Sequence, residues 1–112
     1  MPNSITLKGK IGKFNKTITV SGDKSLSIRW ILFSSIASGK SKSQNLLMSE
    51  DVIAAINVIK KLGIKVSLKK NVCEIYGKGM DGYKIKKNLI INAENSGTLS
   101  RLILGLLVNT PY

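Results

Sequence analysis

Apolar residues recur at helical spacing in three stretches of this chain. Val52, Ala55, Ile56, Ile59 and Leu62 repeat every three or four positions and predict one apolar stripe on an amphipathic helix. Ser49 opens that helix, and Glu50 and Asp51 fall in its first turn, where the macrodipole favours negative charge. Lys60 and Lys61 fall in the last turn, and Gly63 supplies the residue just past the end. From Lys24 to about Ser38 the apolar positions nearly surround the axis: Leu26, Ile28, Trp30, Ile31, Leu32, Phe33, Ile36 and Ala37. Such a helix is expected to be buried on more than one side. Asp23 is its N-cap candidate and Gly39 its stop. A third helix, entered through a turn at 94–98 and running to about Val108, carries Leu102, Ile103, Leu104, Leu106, Leu107 and Val108. It is apolar all round, which suits an element covered on every side.

Shorter runs read as strands. Ile5 to Leu7 and Lys16 to Val20 flank the loop 9–13, and Thr17 to Val20 are β-branched. Ser41 to Leu47 is a further strand, and Lys65 to Lys69 with Val72 to Tyr76 form a hairpin around Lys70-Asn71. Val66 and Leu68 alternate with polar residues, so one sheet face is expected to be wet. Asn88 to Asn92 is another apolar strand. From Lys16 the order is β-α-β-α-β-β-β-α, which predicts an α/β (α+β) protein with helices packed on sheet faces.

At 112 residues the chain has room for one ordinary domain. Hydrophobic residues make up 43%, enough to build a core. No apolar run approaches the ~20 residues of a membrane span, and residues 1–10 lack the apolar block of a signal peptide, so a cytoplasmic location is expected. Cys73 stands alone, which excludes a disulfide scaffold and a cysteine metal cluster; it reads as a small apolar residue in a strand. Histidine is absent, which removes the commonest general base and metal ligand. No metal and no cofactor is expected.

Charge changes the picture more. The net charge is +12, from 18 basic and 6 acidic residues, and favours anionic partners. Sixteen of the 18 are lysine; the arginines are Arg29 and Arg101. Arginine presents a rigid fork that matches phosphate and carboxylate, so where these two fall is more informative than the total. Each follows a polar, glycine-containing helix start: Ser21-Gly22-Asp23-Lys24-Ser25-Leu26-Ser27-Ile28-Arg29, and Asn95-Ser96-Gly97-Thr98-Leu99-Ser100-Arg101. Ser25-Leu26-Ser27 and Thr98-Leu99-Ser100 align at an offset of 73 residues, a weak internal repeat. The first backbone N–H groups of a helix lack internal partners and carry partial positive charge, so both turns suit a phosphate or carboxylate. Ser25 and Arg29, four apart, share a helix face, and Lys24 adds charge at the turn. Ser, Thr and Asp at helix starts also serve simply as caps. Asp51 reads better as a helix-start carboxylate than as a catalytic acid, and Trp30 and Phe33 as core residues rather than a base-stacking platform.

These elements resemble a family. Gly22 to Arg29 looks like the substrate-binding signature near the start of 5-enolpyruvylshikimate-3-phosphate synthases, a Pro-Gly-(Ser/Asp)-Lys-Ser-x-Ser-x-Arg run. Ser49-Glu50-Asp51, Ala55 and Leu62-Gly63 resemble the family's next helix. Asn95 to Leu102 resembles its Asn-(Ala/Ser)-Gly-Thr-x-x-Arg element. The resemblance implies transfer of the enolpyruvyl group of phosphoenolpyruvate to shikimate 3-phosphate, in aromatic amino acid biosynthesis. By position, Lys24 would contact both substrates, and Ser25 and Arg29 would hold shikimate 3-phosphate. Asn95 and Gly97 would line the phosphoenolpyruvate pocket, with Gly97 the position where bulk hinders glyphosate. Thr98 and Arg101 would support that pocket. The family fold has two lobes of three βαβαββ units each. Residues 1–20 would belong to a lobe mostly missing from this chain, and residues 21–112 to the first unit and the start of the second unit of the other lobe. The general acid/base residues lie downstream in the family, so this piece is expected to be inactive alone. Ser21 stands where proline is usual, and Glu94 where a small residue is common; Glu94 is expected to point away from the anion site. The related UDP-N-acetylglucosamine enolpyruvyl transferase signature fits less well.

Two competing readings differ in class. A basic βαβαββ module could bind nucleic acid through phosphate contacts, although aromatic residues are only 5% and are not interleaved with basic ones. Alternatively the chain self-associates through its final apolar helix.

Overall fold

The computed structural model describes residues 3–108, 110 and 111. Three helices and three strands follow in the order α1 (Lys24–Ile36), β1 (Ser38–Gln44), α2 (Glu50–Lys61), β2 (Lys65–Lys69), β3 (Val72–Lys78) and α3 (Gly97–Leu107). The strands form one antiparallel sheet in the order β1-β3-β2. Ser41 and Val66 both oppose Ile75, and Lys40 and Lys65 both oppose Tyr76. Strand alternation therefore sends Cys73 and Ile75 into the core and Glu74 and Tyr76 to the other face. On that other face Tyr76 donates to Glu74 (3.0 Å), Lys40 sits 3.8 Å from the same carboxylate, and the Lys65 ammonium lies 5.2 Å from the Tyr76 ring centre. One face is wet, as the alternation predicts.

The core gathers Ile28, Ile31 and Leu32 of α1, Val52, Ala55, Ile56 and Ile59 of α2, Cys73 and Ile75 of β3, and Leu99 and Ile103 of α3. α1 packs on α2, α3 and β3. α2 is the element that periodicity described best. Its bounds, its acidic first turn, its basic last turn and Gly63, held at a φ of +88°, all match. The hairpin also forms where expected.

Other elements differ from expectation, each for a physical reason. Residues 3–20 form no strand. Strand backbone needs a neighbour to receive its N–H and C=O groups, and none of the three strands pairs with this segment. Residues 88–92 also form no strand: Leu89 N–H closes a turn onto Lys86 O, and Asn88 adopts a φ of +60°, off the β region. β1 starts three residues early and ends at Gln44, because Ser38 and Gly39 pair with Lys78 and Gly77, and Asn45 turns left-handed with a φ of +61°. Gly39 thus lies inside β1; α1 stops at Ala37, whose N–H bonds back to Phe33 O.

α1 is not buried all round. Its inner face carries Ser27, Ser34 and Ser35 beside Ile28, Ile31 and Leu32, while Leu26 and Phe33 are about two-thirds exposed, so Phe33 is not a core residue. Small serines let α1 approach β3 closely. A Cβ on Gly77 would run into the carbonyl oxygens of Ser34 and Ala37. Two of these inward hydroxyls have partners, as buried polar groups favour: the Ser35 hydroxyl donates to Leu32 O and pairs with the Tyr83 hydroxyl, and Ser27 Oγ accepts from Leu47 N–H. α3 is likewise covered on one face only, with Leu99 and Ile103 buried and Leu104 and Val108 exposed.

Candidate functional site

Three helix starts meet the solvent in this structure, and each is capped differently. At α1 the Asp23 carboxylate accepts from Leu26 N–H at 2.8 Å. At α3 Ser96 Oγ accepts from Leu99 N–H at 3.0 Å, and Ser96 itself is buried. At α2 the N-cap Ser49 makes no capping bond through its side chain, and its hydroxyl oxygen is buried without a partner.

The turn before α1 is clamped from behind. Asn45 Nδ2 donates to Val20 O at 2.7 Å. Gly22 packs so tightly on 45–47 that a Cβ there would lie 2.6 Å from Leu47 N and 2.7 Å from Asn45 O. The backbone that leads into α1 is therefore fixed by the segment between β1 and α2, contacts that the sequence gives no hint of.

Lys24 is the first residue of α1 and exposed; Ser25 follows it, half-buried; Arg29 is exposed one turn later. Lys24 Nζ lies 3.1 Å from Asp51 Oδ2, in the first turn of α2. Asp51 is thus a partner of the candidate lysine as well as a helix-start carboxylate, a pairing across 27 residues that only packing reveals. Asn95 and Gly97 are exposed at the start of α3, with Thr98 half-buried and Arg101 exposed. The Arg101 guanidinium folds back along its own first turn, so that a Cβ on Gly97 would sit 3.8 Å from it. Both turns are open, and neither is covered by apolar side chains. α1 gathers Lys24, Ser25 and Arg29; the start of α3 gathers Asn95, Gly97, Thr98 and Arg101. α1 and α3 pack on each other, but among the described residues no hydrogen bond or ion pair links the two groups.

Glu94 is exposed. Its carboxylate accepts from Asn92 Nδ2 at 3.0 Å and borders a groove of about 360 Å³ along α2, with Asn57, Lys60 and Lys61. None of the seven candidate residues lines that groove. Among the described residues no group of three His, Cys, Asp or Glu side chains could hold a metal, and no helix is long and apolar enough to cross a membrane.

Helices on one face of an antiparallel sheet, with exposed cationic side chains at two open helix starts, define a mixed α/β unit whose surface chemistry favours small anions. Comparison with known proteins makes this specific. The family model for EPSP synthase (3-phosphoshikimate 1-carboxyvinyltransferase) matches residues 8–111, and the chain belongs to that family. It is 43% identical over 98 residues to the 3-phosphoshikimate 1-carboxyvinyltransferase of Bacillus cytotoxicus, covering 88% of this chain and 23% of the relative. To the enzyme of the same name from Streptococcus suis it is 39% identical over 106 residues, covering 95% and 25%. Solved EPSP synthase from Acinetobacter baumannii superimposes with a TM-score of 0.76 at 33% identity, over 85% of this chain and 22% of that one. The chain spans about a quarter of the length of the curated relatives it matches.

Proposed function

We propose that this chain supplies part of the substrate-binding surface of a carboxyvinyltransferase. In that reaction the 5-hydroxyl of shikimate 3-phosphate loses its proton and its oxygen bonds to C2 of phosphoenolpyruvate while C3 takes up a proton, giving a tetrahedral intermediate. The C–O bond from C2 to phosphate then breaks as C3 gives up a proton, which restores the double bond and releases inorganic phosphate. No electron transfer is involved. Both substrates are anions, and the observation that carries the reading is the pair of open helix starts bearing Lys24, Arg29 and Arg101, inside a chain of this family. Lys24, Ser25 and Arg29 hold shikimate 3-phosphate, with Lys24 also reaching phosphoenolpyruvate. Asn95 and Gly97 line the phosphoenolpyruvate side, supported by Thr98 and Arg101. Bulk at Gly97 would hinder glyphosate in the same place.

Residues 1–20 belong with a second lobe, and residues 21–112 form the first βαβαββ unit and the start of the next. The general acid/base groups belong to the rest of a two-lobed enzyme, which works in the cytoplasm on water-soluble metabolites. This chain alone therefore binds anions weakly and does not turn over. None of the relatives named above points to nucleic acid.

The test is a titration of the 15N-labelled chain with shikimate 3-phosphate. Amide shifts should concentrate at 23–29, and phosphoenolpyruvate should move 95–101. No phosphate should be released when both are present. Shifts scattered over the lysine-rich surface, unaffected by Arg29→Ala and Arg101→Ala, would defeat the reading.

A further inference from the structure

Resting on the reading of Lys24 as an anion ligand, we propose that Asp51 is a positioning residue. From the first turn of α2 its carboxylate holds the Lys24 ammonium at the open start of α1, oriented for an incoming phosphate or carboxylate. The two charges lie 3.1 Å apart. Their side chains differ in exposure, 17% for Asp51 against 50% for Lys24, so the fixed member is the acid and the member facing solvent is the base.

Asp51 has reason to stay where it is. It sits on α2, whose inner face is buried, and in the first turn, where the macrodipole favours an anion. The N-cap Ser49 makes no side-chain bond to that turn, so its hydroxyl does not serve the amides there. Lys24 needs such an anchor. A lysine is a compact charge on a flexible four-carbon stem, and ordering that stem opposes binding. An ammonium has three N–H donors. One directed at Asp51 leaves two for a ligand. Of the 16 lysines, only Lys24 and Lys40 lie within ion-pair distance of a carboxylate among the described residues, and Lys40 is farther from its partner at 3.8 Å.

The proposal has a sign that separates it from simple charge compensation. If Asp51 merely neutralised Lys24, removing it would strengthen anion binding. If it positions Lys24, removing it weakens binding. The experiment uses the 112-residue chain with lysine side chains labelled at 15Nζ and 13Cε. In the wild type the Lys24 ammonium should be ordered relative to Lys8 or Lys87; in D51N it should become as mobile as those, and D51E should restore part of the order. Shikimate 3-phosphate should bind D51N about two- to tenfold more weakly, the range set by freezing one long side chain. On a K24M background D51N should change nothing further. A Lys24 as mobile in the wild type as the exposed lysines would overturn the proposal, and so would D51N binding that is unchanged or tighter. If the wild type does not bind shikimate 3-phosphate at all, the substrate assignment falls, and Asp51 is judged on Lys24 order alone. Should D51N not fold, D51E decides: a displaced carboxylate must alter the Lys24 ammonium signal and lower its order below that of the wild type.

Discussion

Gly22 precedes the N-cap of α1 and Gly97 is the first residue of α3, and the two meet different surroundings. A methyl at Gly22 would collide with backbone at 2.6–2.7 Å, and backbone does not yield as a side-chain tip does. Gly22→Ala is expected to cost about 1–3 kcal/mol in urea unfolding. A methyl at Gly97 meets only the flexible Arg101 guanidinium at 3.8–3.9 Å, so Gly97→Ala should stay within about 0.5 kcal/mol of wild type. Equal losses at both would mean that the turn before α3 is not open. Buried hydroxyl and thiol groups give a second test. Burial pushes the Tyr83 hydroxyl above its usual range, with the Ser35 hydrogen bond acting the other way. Burial also pushes the Cys73 thiol up, opposed by Lys60. Groups raised in the folded state contribute stability in full below their unfolded values, about 8.5 for Cys and about 10 for Tyr, and lose it as pH rises through the folded ones. The melting midpoint should therefore fall on the alkaline side, and Tyr83→Phe should flatten the part above about pH 10. A midpoint flat through that range in the wild type would contradict this account.

Among the elements, α2 and the hairpin follow from their spacing and α1 does not. Periodicity reads α2 well because its buried stripe and its polar stripe are separate. In α1 the helix bounds are legible to within two residues, but the buried face is not, since serines point inward and Leu26 and Phe33 outward. Hydropathy ranks serine as a surface residue; only the closeness of β3 at Gly77 and the Tyr83 hydroxyl make it an interior one. The division predicts which substitutions matter. Ile59→Ala in α2 removes a buried branched side chain and should cost about 2–5 kcal/mol. Leu104→Ala in α3, on the exposed side, should change stability by no more than about 0.5 kcal/mol. Denaturant midpoints of the two variants side by side check this, and a large loss at Leu104 would show that α3 is covered on its outer face in solution.

Across the molecule, mass is distributed unevenly. The radius of gyration is 18.0 Å, whereas a compact chain of this length has about 13 Å. Residues 3–20 are exposed throughout and lie outside the packed core. Ile5, Leu7, Ile11, Phe14, Ile18 and Val20 are 66–90% exposed, so this segment contributes little burial to the folded unit. Trypsin should therefore cut first at Lys8, Lys10, Lys13 and Lys16, and the product beginning at Thr17 should melt within about 1 kcal/mol of the whole chain. Cleavage first between α2 and β2 would contradict the arrangement. The charge of +12 sets a second global expectation. Self-repulsion opposes the compact state and is screened by salt, so the melting midpoint should rise with moderate sodium chloride.

Local chemistry was written in the chain: helix periodicity, the cap at Asp23, the hairpin, the two arginines beside glycine-containing turns, and through these the family. Such features depend on neighbours three or four positions away, and sequence order specifies those neighbours directly. What sequence order left open were contacts between distant positions. Strand formation at 3–20 and 88–92 depends on having a partner, the inward serines of α1 on what faces them, and the Lys24–Asp51 pair on how two helices cross. Each of those is settled by burial and hydrogen-bond satisfaction in three dimensions, where separation along the chain carries no weight.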